Sequence, residues 1–355
     1  MRMEMHESNS KGSAYLPMMK LSRISKIRNL IDEKTWKGPI GEQFAPLWRH
    51  DSGSVYFWRL SSNAIFIANV DGKRHFLRLN LAEERSLPEV EAEIRILLAL
   101  NGSSVRAAQP VPSLAGRLIE TAEWQGDLYH AVLFEGMPGE HPDDENLTEA
   151  QCLRWGEELG RLHKELAAMP SATVNGRGDW SLDLANMRKL LFRESAAIRG
   201  ALDAAASEME QVCRIRPAAL IHFDFEMDNL LWQDTSVSII DFDDCRIYPP
   251  GADIEYAIRS LRKSDTLDAS QQIQAFLDGY SAASPFPLPS KQELALFRQW
   301  HRLYLLAASH REMDLPADKP RVSWQSSLEL KFAELAQKLR SEIVNDAASA
   351  NHKTF

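Results

Sequence analysis

Residues 220–232, LIHFDFEMDNLLW, together with residues 239–244, IIDFDD, are the stretch of sequence that decides the fold. A polar turn at residues 233–236 separates them, so residues 229–232 and 237–242 are predicted to be the two strands of a hairpin. Acidic side chains lie among the apolar strand residues. Ionised carboxylates at the edge of a core are costly unless a cation compensates them, so this acidic cluster indicates a bound cation.

Two oxygen-bearing side chains are expected at the open end of this hairpin. Asn229 begins the first predicted strand, and Asp241 lies near the end of the second. Mg²⁺ prefers oxygen ligands, typically takes one or two carboxylates from the protein, and completes its shell with water and substrate phosphate. We therefore interpret Asn229 and Asp241 as candidate Mg²⁺ ligands.

The spacing of polar residues across this stretch is specific. His222-x-Asp224-x4-Asn229, followed by a hydrophobic strand that ends in Asp241-Phe242, is the spacing of the catalytic loop and metal-binding segment of eukaryotic-type kinases. The stretch resembles the aminoglycoside phosphotransferase and choline kinase superfamily. The resemblance extends over residues 45–310 through the segments FLRL, AEIRILLAL, AVLFEGMPGE, LGRLH and FLDGY.

The resemblance implies an α+β, protein-kinase-like fold with two lobes. The expected small lobe is an antiparallel β-sheet with one helix, and the expected large lobe is mainly helical. We divide the chain into a partly disordered N-terminal leader (residues 1–34), a nucleotide-binding lobe (35–137) and a catalytic and acceptor-binding lobe (138–355).

The same resemblance implies a role for each polar residue of the catalytic stretch. Asp224 would be the catalytic carboxylate, which accepts the proton of an acceptor hydroxyl and orients it toward the γ-phosphate of ATP. His222 would belong to the catalytic loop and brace it by hydrogen bonding. Asn229 and Asp241 would hold Mg²⁺ against the phosphate oxygens.

Arg78 stands where this superfamily usually has a lysine that binds the α- and β-phosphates. Arginine keeps the charge and adds a planar fork suited to bidentate contact with phosphate. The resemblance implies that its partner is Glu93. By helical angle alone, Glu91 flanks the apolar stripe of the same helix equally well.

No glycine-rich G-x-G-x-x-G loop follows the first predicted strand. Ser61, Ser62 and Asn63 lie where the phosphate-covering turn is expected, and small polar residues can present backbone N–H groups and hydroxyls to phosphate. The resemblance also implies that the carbonyl of Glu135 and the N–H of Met137 bind the adenine ring.

The remaining elements are predicted from periodicity and turn residues. Asp71-Gly72 is a strong hairpin turn, and residues 89–100 are predicted to form a helix. Strands are predicted at residues 55–58, 65–67, 76–79, 117–120 and 129–134. Two capping boxes open predicted helices of the second lobe, namely Thr148 with Gln151 and Ser290 with Glu293.

Two further segments have competing interpretations. Residues 20–31 have a helix-like pattern with one basic face, for which a solvated face on a helix packed against the protein is favoured over membrane or partner binding. Asp253 and Glu255 begin a helix after residues 249–251. An acidic residue there can cap the helix or stabilise the catalytic loop, and capping is the preferred interpretation.

Composition excludes several classes of protein. The chain has 355 residues, and its 44% hydrophobic and 26% charged content is typical of a folded protein. With 41 Lys and Arg against 50 Asp and Glu, the net charge of −9 argues against nucleic acid as a partner. No apolar run approaches the roughly 20 residues of a membrane span. Three widely spaced cysteines without a CxxC pair indicate a reducing compartment, and we expect a cytoplasmic protein.

The patterns together predict an ATP-dependent kinase that phosphorylates a hydroxyl of a small molecule, such as an amino alcohol, amino acid, sugar or aminoglycoside. Asp243, where protein kinases have glycine, favours a metabolite as the acceptor, and the acidic cleft favours a cationic one. A haloacid-dehalogenase-type phosphatase built on Asp241-x-Asp243 is one alternative. A catalytically impaired nucleotide-binding or regulatory protein is another, because of Arg78 and the missing glycine loop. The patterns leave oligomeric state undetermined.

Overall fold

A six-stranded antiparallel sheet forms the body of the small lobe. The computed structural model describes residues 18–143, 147–263, 267–316, 318 and 320–351. The elements up to the end of this lobe are α1 (Leu21–Arg28), α2 (Pro39–Phe44), β1 (Tyr56–Leu60), β2 (Ala64–Val70), β3 (Lys73–Leu81), α3 (Leu87–Leu100), β4 (Arg106–Ala107), β5 (Pro110–Val111), β6 (Glu120–Trp124) and β7 (Asp127–Glu135). The strand order is β1-β2-β3-β7-β5, and β6 also pairs with β7.

Strand β3 separates the core of the small lobe from the cleft. Side chains alternate between the two faces of a strand, so Leu77, Leu79 and Leu81 are buried in the small-lobe core. Arg78 and Asn80 lie on the opposite face, where α3 packs. The alternation within FLRLNL therefore delivers two polar side chains to the cleft.

The predicted hairpin at Asp71-Gly72 is confirmed. It joins β2 to β3, and both turn residues have positive φ, 51° for Asp71 and 75° for Gly72. Asp and Gly tolerate this left-handed backbone, which two-residue hairpin turns require. The predicted helix at residues 89–100 is also confirmed, although it begins two residues earlier, after a capping box between Ser86 and Glu89.

The predicted strand at residues 117–120 is wrong. The chain turns there, with Gly116 at φ 76°, and β6 begins only at Glu120. The Ser113 hydroxyl donates to Glu120 Oε1, and Arg117 Nε donates to Glu120 Oε2 over 3.1 Å. These local side-chain bonds favour a turn over a strand, and the apolar pattern of the segment does not reveal them.

Helices and two small sheets make up the large lobe. Its elements are α4 (Glu149–Ala167), α5 (Ser171–Val174), α6 (Trp180–Leu190), α7 (Ala196–Ile215), β8 (Ala219–Ile221), β9 (Leu230–Gln233), β10 (Ser236–Ile239), β11 (Arg246–Tyr248), α8 (Gly251–Ala257), α9 (Leu267–Ala283), α10 (Lys291–Glu312) and α11 (Ser323–Asn351). Both predicted capping boxes are present, at the start of α4 and of α10. Strands β9 and β10 form the predicted hairpin, and β10 also pairs with β4 in parallel. Among the described residues, no helix has the length and apolar character of a membrane span.

Glycines bring α4 and α9 into close contact. A Cβ atom on Gly156 would lie 1.9 Å from the carbonyl oxygen of Phe276, and one on Gly279 would lie 2.0 Å from that of Leu153. Only glycine permits this approach of the two backbones. The packing fixes the position of α4, which carries His163.

The amino-terminal segment joins the small lobe, which therefore contains α1 and α2 besides the one helix expected. Leu21, Ile24 and Ile27 of α1 are buried in the small-lobe core. Residues 1–17 of the predicted leader lie outside the described residues. The basic face of α1 pairs with acidic residues of the small lobe, as Lys20 and Arg23 do with Glu83.

The start of the described chain also contacts the end of α10. Met18 N donates to Glu312 Oε1 over 2.6 Å, and Ser22 N donates to Asp314 Oδ1 over 2.8 Å. Glu312 is almost completely buried, and burial raises its pKa from 4.5 to about 7. This carboxyl therefore couples the junction of the two lobes to pH.

We expect Glu312→Gln to flatten the dependence of stability on pH. Between pH 4.5 and 7 the native carboxyl keeps a proton that the unfolded chain has lost, so stability falls as pH rises through this window, by on the order of 3 kcal/mol. Glutamine still accepts from Met18 N and carries no charge. Urea unfolding at pH 4.5 and pH 8 measures the effect. An equal fall in stability for both proteins would contradict it.

Candidate active site

The loop from His222 to Asn229 connects β8 to β9 and is held by Asp253. The carboxylate of Asp253 accepts from His222 N and Phe223 N, both over 2.7 Å, and contacts His163 Nε2 at 3.0 Å. Asp253 is fully buried. The preferred interpretation of Asp253 as a helix cap is therefore wrong, because its oxygens bind the loop backbone, including Phe223 at φ 72°.

His222 braces the loop from the inside. It is fully buried, its Nε2 lies 3.2 Å from the carbonyl oxygen of Ile240, and its ring packs on Phe225 and Phe242. Burial lowers the pKa of His222, although Asp253 opposes this effect. The neutral ring links the loop to the segment that follows β10.

Asp224 is a buried carboxylate in which one oxygen accepts a hydrogen bond from the described part of the chain and the other does not. Asn229 Nδ2 donates to Asp224 Oδ2 over 2.6 Å and to its backbone oxygen over 2.9 Å. Among the described residues, Asp224 Oδ1 has no hydrogen-bond partner, and Arg259 Nη2 lies 3.7 Å away. Burial raises the pKa of Asp224 to about 6, against the opposing charge of Arg259. The second oxygen is free to accept a proton.

Asp241 lies just beyond the hairpin, one residue after Ile240, which pairs with Asn229. It has left the strand with φ 64°, and Ile240 N donates to the carbonyl oxygen of Asn229 over 3.0 Å. The Asp241 carboxylate is 35% exposed and lies 3.9 Å from Arg78 Nη1. Partial burial of the carboxylate, together with the neighbouring charge of Asp243, raises the pKa of Asp241 to about 7. A carboxylate held in this way favours a cation beside it.

The donor set fits Mg²⁺. Because the amide nitrogen of Asn229 donates to Asp224, the amide oxygen remains as a ligand, and Asp241 adds a carboxylate. In the described part of the chain, no three His, Cys, Asp or Glu side chains converge on one point to hold a metal. Mg²⁺ needs no such cluster, since it is usually bound by one or two protein side chains together with substrate phosphates.

Arg78 pairs with Glu93, whereas Glu91 is exposed. Arg78 Nη1 donates to Glu93 Oε1 over 2.8 Å, its Nη2 pairs with Glu93 Oε2, and its guanidinium stacks 4.8 Å from the ring centre of Phe134. Both charged side chains are buried. Burial alone would lower the pKa of Arg78, but Glu93 and two aspartates raise it above its usual range.

The turn between β1 and β2 reaches across to the large lobe. Ser61 and Ser62 are half-buried and Asn63 is buried. Asn63 Nδ2 donates to Asp243 Oδ2 over 2.8 Å, and Asn63 Oδ1 accepts from Asn80 Nδ2 over 2.6 Å. Both polar atoms of the Asn63 side chain are therefore already bonded to protein.

The linker after β7 lies beside β3. Glu135 N donates to Gln109 O and Gly136 N donates to Arg74 O, each over 3.0 Å. A Cβ on Gly136 would lie 2.4 Å from Arg74 O, so the close approach requires glycine. Met137 is half-buried. Adenine binding by the carbonyl of Glu135 and the N–H of Met137 stays a prediction.

Sequence reasoning missed the arginines that neutralise the acidic cleft. Arg85 pairs with Asp243 and with Asp244, and Arg259 pairs with Glu226. Three of the carboxylates behind the expected preference for a cationic acceptor are therefore already paired with arginine, and this preference stays a prediction. No local pattern could have revealed Arg85, which follows β3 in an irregular segment 158 residues before Asp243.

The arrangement defines a two-lobed, protein-kinase-like fold with the polar residues of a phosphotransferase in its cleft. Residues 57–286 match the model of the phosphotransferase enzyme family, and the chain belongs to this family. A phosphatase of the haloacid-dehalogenase type does not fit. That fold needs a doubly wound parallel sheet, whereas β10, before Asp241, lies in a three-stranded sheet with an antiparallel neighbour.

The chain is similar to several small-molecule kinases. The amicoumacin kinase of Bacillus subtilis (strain 168) is 24% identical over 196 residues, which are 54% of this chain and 58% of that protein. The match thus spans less than two thirds of that relative.

Two solved structures share the fold. An amicoumacin kinase bound to AMP-PNP, Ca²⁺ and Ami has a TM-score of 0.68 at 18% identity, covering 88% of this chain and 95% of its own. A microcompartment-associated aminopropanol kinase has a TM-score of 0.65 at 22% identity, covering 86% of this chain and 98% of its own.

Proposed function

We propose that the protein transfers the γ-phosphoryl group of ATP to a hydroxyl group of a small molecule. The observation that carries this proposal is the pair of oxygens of Asp224, one fixed by Asn229 and the other buried without a hydrogen-bond partner among the described residues. A buried proton acceptor, placed one hairpin away from a metal-binding carboxylate, is what the transfer of a phosphoryl group to an alcohol requires.

In the proposed reaction, Asp224 Oδ1 accepts the hydroxyl proton as the acceptor oxygen bonds to the γ-phosphorus. The bond from that phosphorus to the β–γ bridging oxygen breaks, and ADP leaves. Asn229 and Asp241 would hold Mg²⁺, which offsets the charge of the phosphate oxygens when it is bound. Arg78, oriented by Glu93, would bind the α- and β-phosphates.

The compounds on which similar proteins act support a small molecule with a hydroxyl group as the acceptor. Solved relatives include a kinase for aminopropanol and a spectinomycin phosphotransferase bound to ADP and spectinomycin. We propose an acceptor from the amino alcohols, amino acids, sugars or aminoglycosides.

The three cysteines, all free thiols, favour a cytoplasmic location.

A nucleotide-binding protein that has lost turnover is the second candidate. The substitution of arginine for the usual lysine at position 78 and the absence of a glycine-rich loop favour it. The preserved contact between Asp224 and Asn229 argues for turnover, because an inactive protein has no need to keep a buried carboxylate oxygen without a hydrogen-bond partner.

A two-stage experiment tests the proposal. A thermal-shift titration with ATP and GTP, each with and without Mg²⁺, reports nucleotide binding, because a ligand of the native state raises the unfolding temperature. ADP release is then measured with pools of the four acceptor classes. A Mg²⁺-dependent shift followed by acceptor-dependent ADP release supports the kinase. A shift without ADP release from any pool supports the second candidate, and no shift with either nucleotide overturns both.

A further inference from the structure

Asp243 is the point where the two lobes meet beside the predicted phosphate site. It lies two residues after Asp241, in a 3₁₀ turn at Phe242–Asp244. From the small lobe, Asn63 donates to Asp243 Oδ2 over 2.8 Å, and Arg85 Nη2 donates to the same oxygen over 3.1 Å. Arg85 Nε lies 3.1 Å from Asp243 Oδ1. One large-lobe carboxylate thus holds two separate segments of the small lobe.

The surroundings of Asp243 keep it charged and fixed. The carboxylate is buried, and Arg177 donates to its backbone oxygen. Its charge is paired with that of Arg85, whose Nε and Nη2 each lie 3.1 Å from a carboxylate oxygen. A buried carboxylate that pairs with a guanidinium is a strong hydrogen-bond acceptor for the Asn63 amide.

Asn63 is buried, and both polar atoms of its side chain bond to other residues. Its Nδ2 donates to Asp243, and its Oδ1 accepts from Asn80 on the cleft face of β3. Ser61 and Ser62 remain half-buried beside it. Asn63 therefore attaches the turn to the rest of the protein, whereas the two serines present small polar groups.

We propose that Asn63 and Asp243 form a positioning pair that fixes Ser61 and Ser62 over the β- and γ-phosphates. The pair replaces the backbone cradle that a glycine-rich loop supplies, and neither Asn63 nor Asp243 contacts the nucleotide. Fixing the turn in advance removes the entropic cost of ordering it around the phosphates. This inference rests on the proposed ATP-dependent transfer.

The test compares nucleotides that differ in their number of phosphates. Asn63→Ala is expected to raise the Kd for MgATP and MgADP by about tenfold, the loss of one buried hydrogen bond to a charged group. The Kd for adenosine is expected to stay within about twofold, because adenosine does not reach the turn. Isothermal titration gives all three values. Asn101→Ala, the same change at an exposed helix end, is the matched control.

A double exchange separates positioning from a general loss of structure. Asn63→Asp and Asp243→Asn are each expected to weaken MgATP binding, and Asp243→Asn also loses its charge pairing with Arg85. The double variant N63D/D243N restores the hydrogen bond in reverse, so it is expected to bind MgATP more tightly than Asp243→Asn alone. The carboxylate introduced by N63D would still accept from Asn80. A double variant that binds MgATP no more tightly than Asp243→Asn would overturn the pair, as would an equal loss of affinity for ATP and adenosine in Asn63→Ala.

The outcomes also separate this inference from the proposed function. If the wild-type protein fails to bind ATP, the proposed function fails. If the wild-type protein binds ATP and Asn63→Ala binds it equally well, only the positioning pair fails.

Discussion

Asp224→Asn is expected to lower kcat for ADP release by about 10²- to 10⁴-fold, the usual contribution of a positioned proton acceptor. Asparagine is nearly the same size, so its oxygen can still accept from Asn229. Its NH₂ group then occupies the place of Oδ1 and donates where the mechanism needs an acceptor. Affinity for MgATP, measured by titration calorimetry, is expected to stay within about twofold, because the proposed mechanism places Asp224 against the acceptor rather than the nucleotide.

The stability of this variant separates lost chemistry from lost structure. The pKa of Asp224 is raised by burial, so the charged form is already disfavoured in the folded protein. A neutral side chain of the same shape should leave the unfolding temperature unchanged or raise it. Asp203→Asn, the same change at an exposed position of α7, is the control for kcat. An unchanged rate in Asp224→Asn would remove Asp224 from the mechanism.

The parts of the site that the sequence predicts are the local ones. Asp224, Asn229 and Asp241 lie within eighteen residues, on one loop and one hairpin whose strands are visible from their apolar residues. Hairpin pairing then brings the backbone of Asn229 beside that of Ile240, whatever the rest of the chain does. The β2–β3 hairpin of the small lobe is equally local, because Asp71-Gly72 sets the register of the two strands.

The parts that the sequence does not predict depend on distant contacts. Asp253 reads as a helix cap from its position, yet it holds the backbone of a loop 30 residues earlier. Arg259 and Arg85 occupy segments with no motif, and their partners are known only once the lobes are packed. The acidic composition of the catalytic stretch therefore suggests a negative cleft, although arginines from other elements compensate its carboxylates.

The partner of Arg78, either Glu93 or Glu91, also depends on a contact that the sequence of one helix does not predict. Both residues flank the buried stripe of α3, and helical geometry does not separate them. The packing of α3 on β3 determines which glutamate pairs with Arg78, because it brings Glu93 against Arg78 and leaves Glu91 in solvent. An arginine at position 78 then gains a bidentate partner that a lysine would contact with a single nitrogen.

Asp241→Asn is expected to abolish the Mg²⁺-dependent part of the thermal shift with ATP and to lower kcat by at least about 10³-fold, since Mg²⁺ would lose its carboxylate ligand. Asparagine is the better replacement because Asp241 has φ 64°, a backbone conformation that asparagine adopts more readily than alanine does. The shift with ATP alone should remain, because Arg78 and the predicted adenine-binding residues are unchanged.

Asp234→Asn is a matched control for this variant. Asp234 also has a positive φ, 53°, and it lies exposed at the tip of the same hairpin. It should keep the full Mg²⁺-dependent shift and the wild-type rate. Since burial and the charge of Asp243 raise the pKa of Asp241 to about 7, removing the Asp241 charge should not destabilise the protein without ligand. A Mg²⁺-dependent shift that survives in Asp241→Asn would show that the metal is held by other residues.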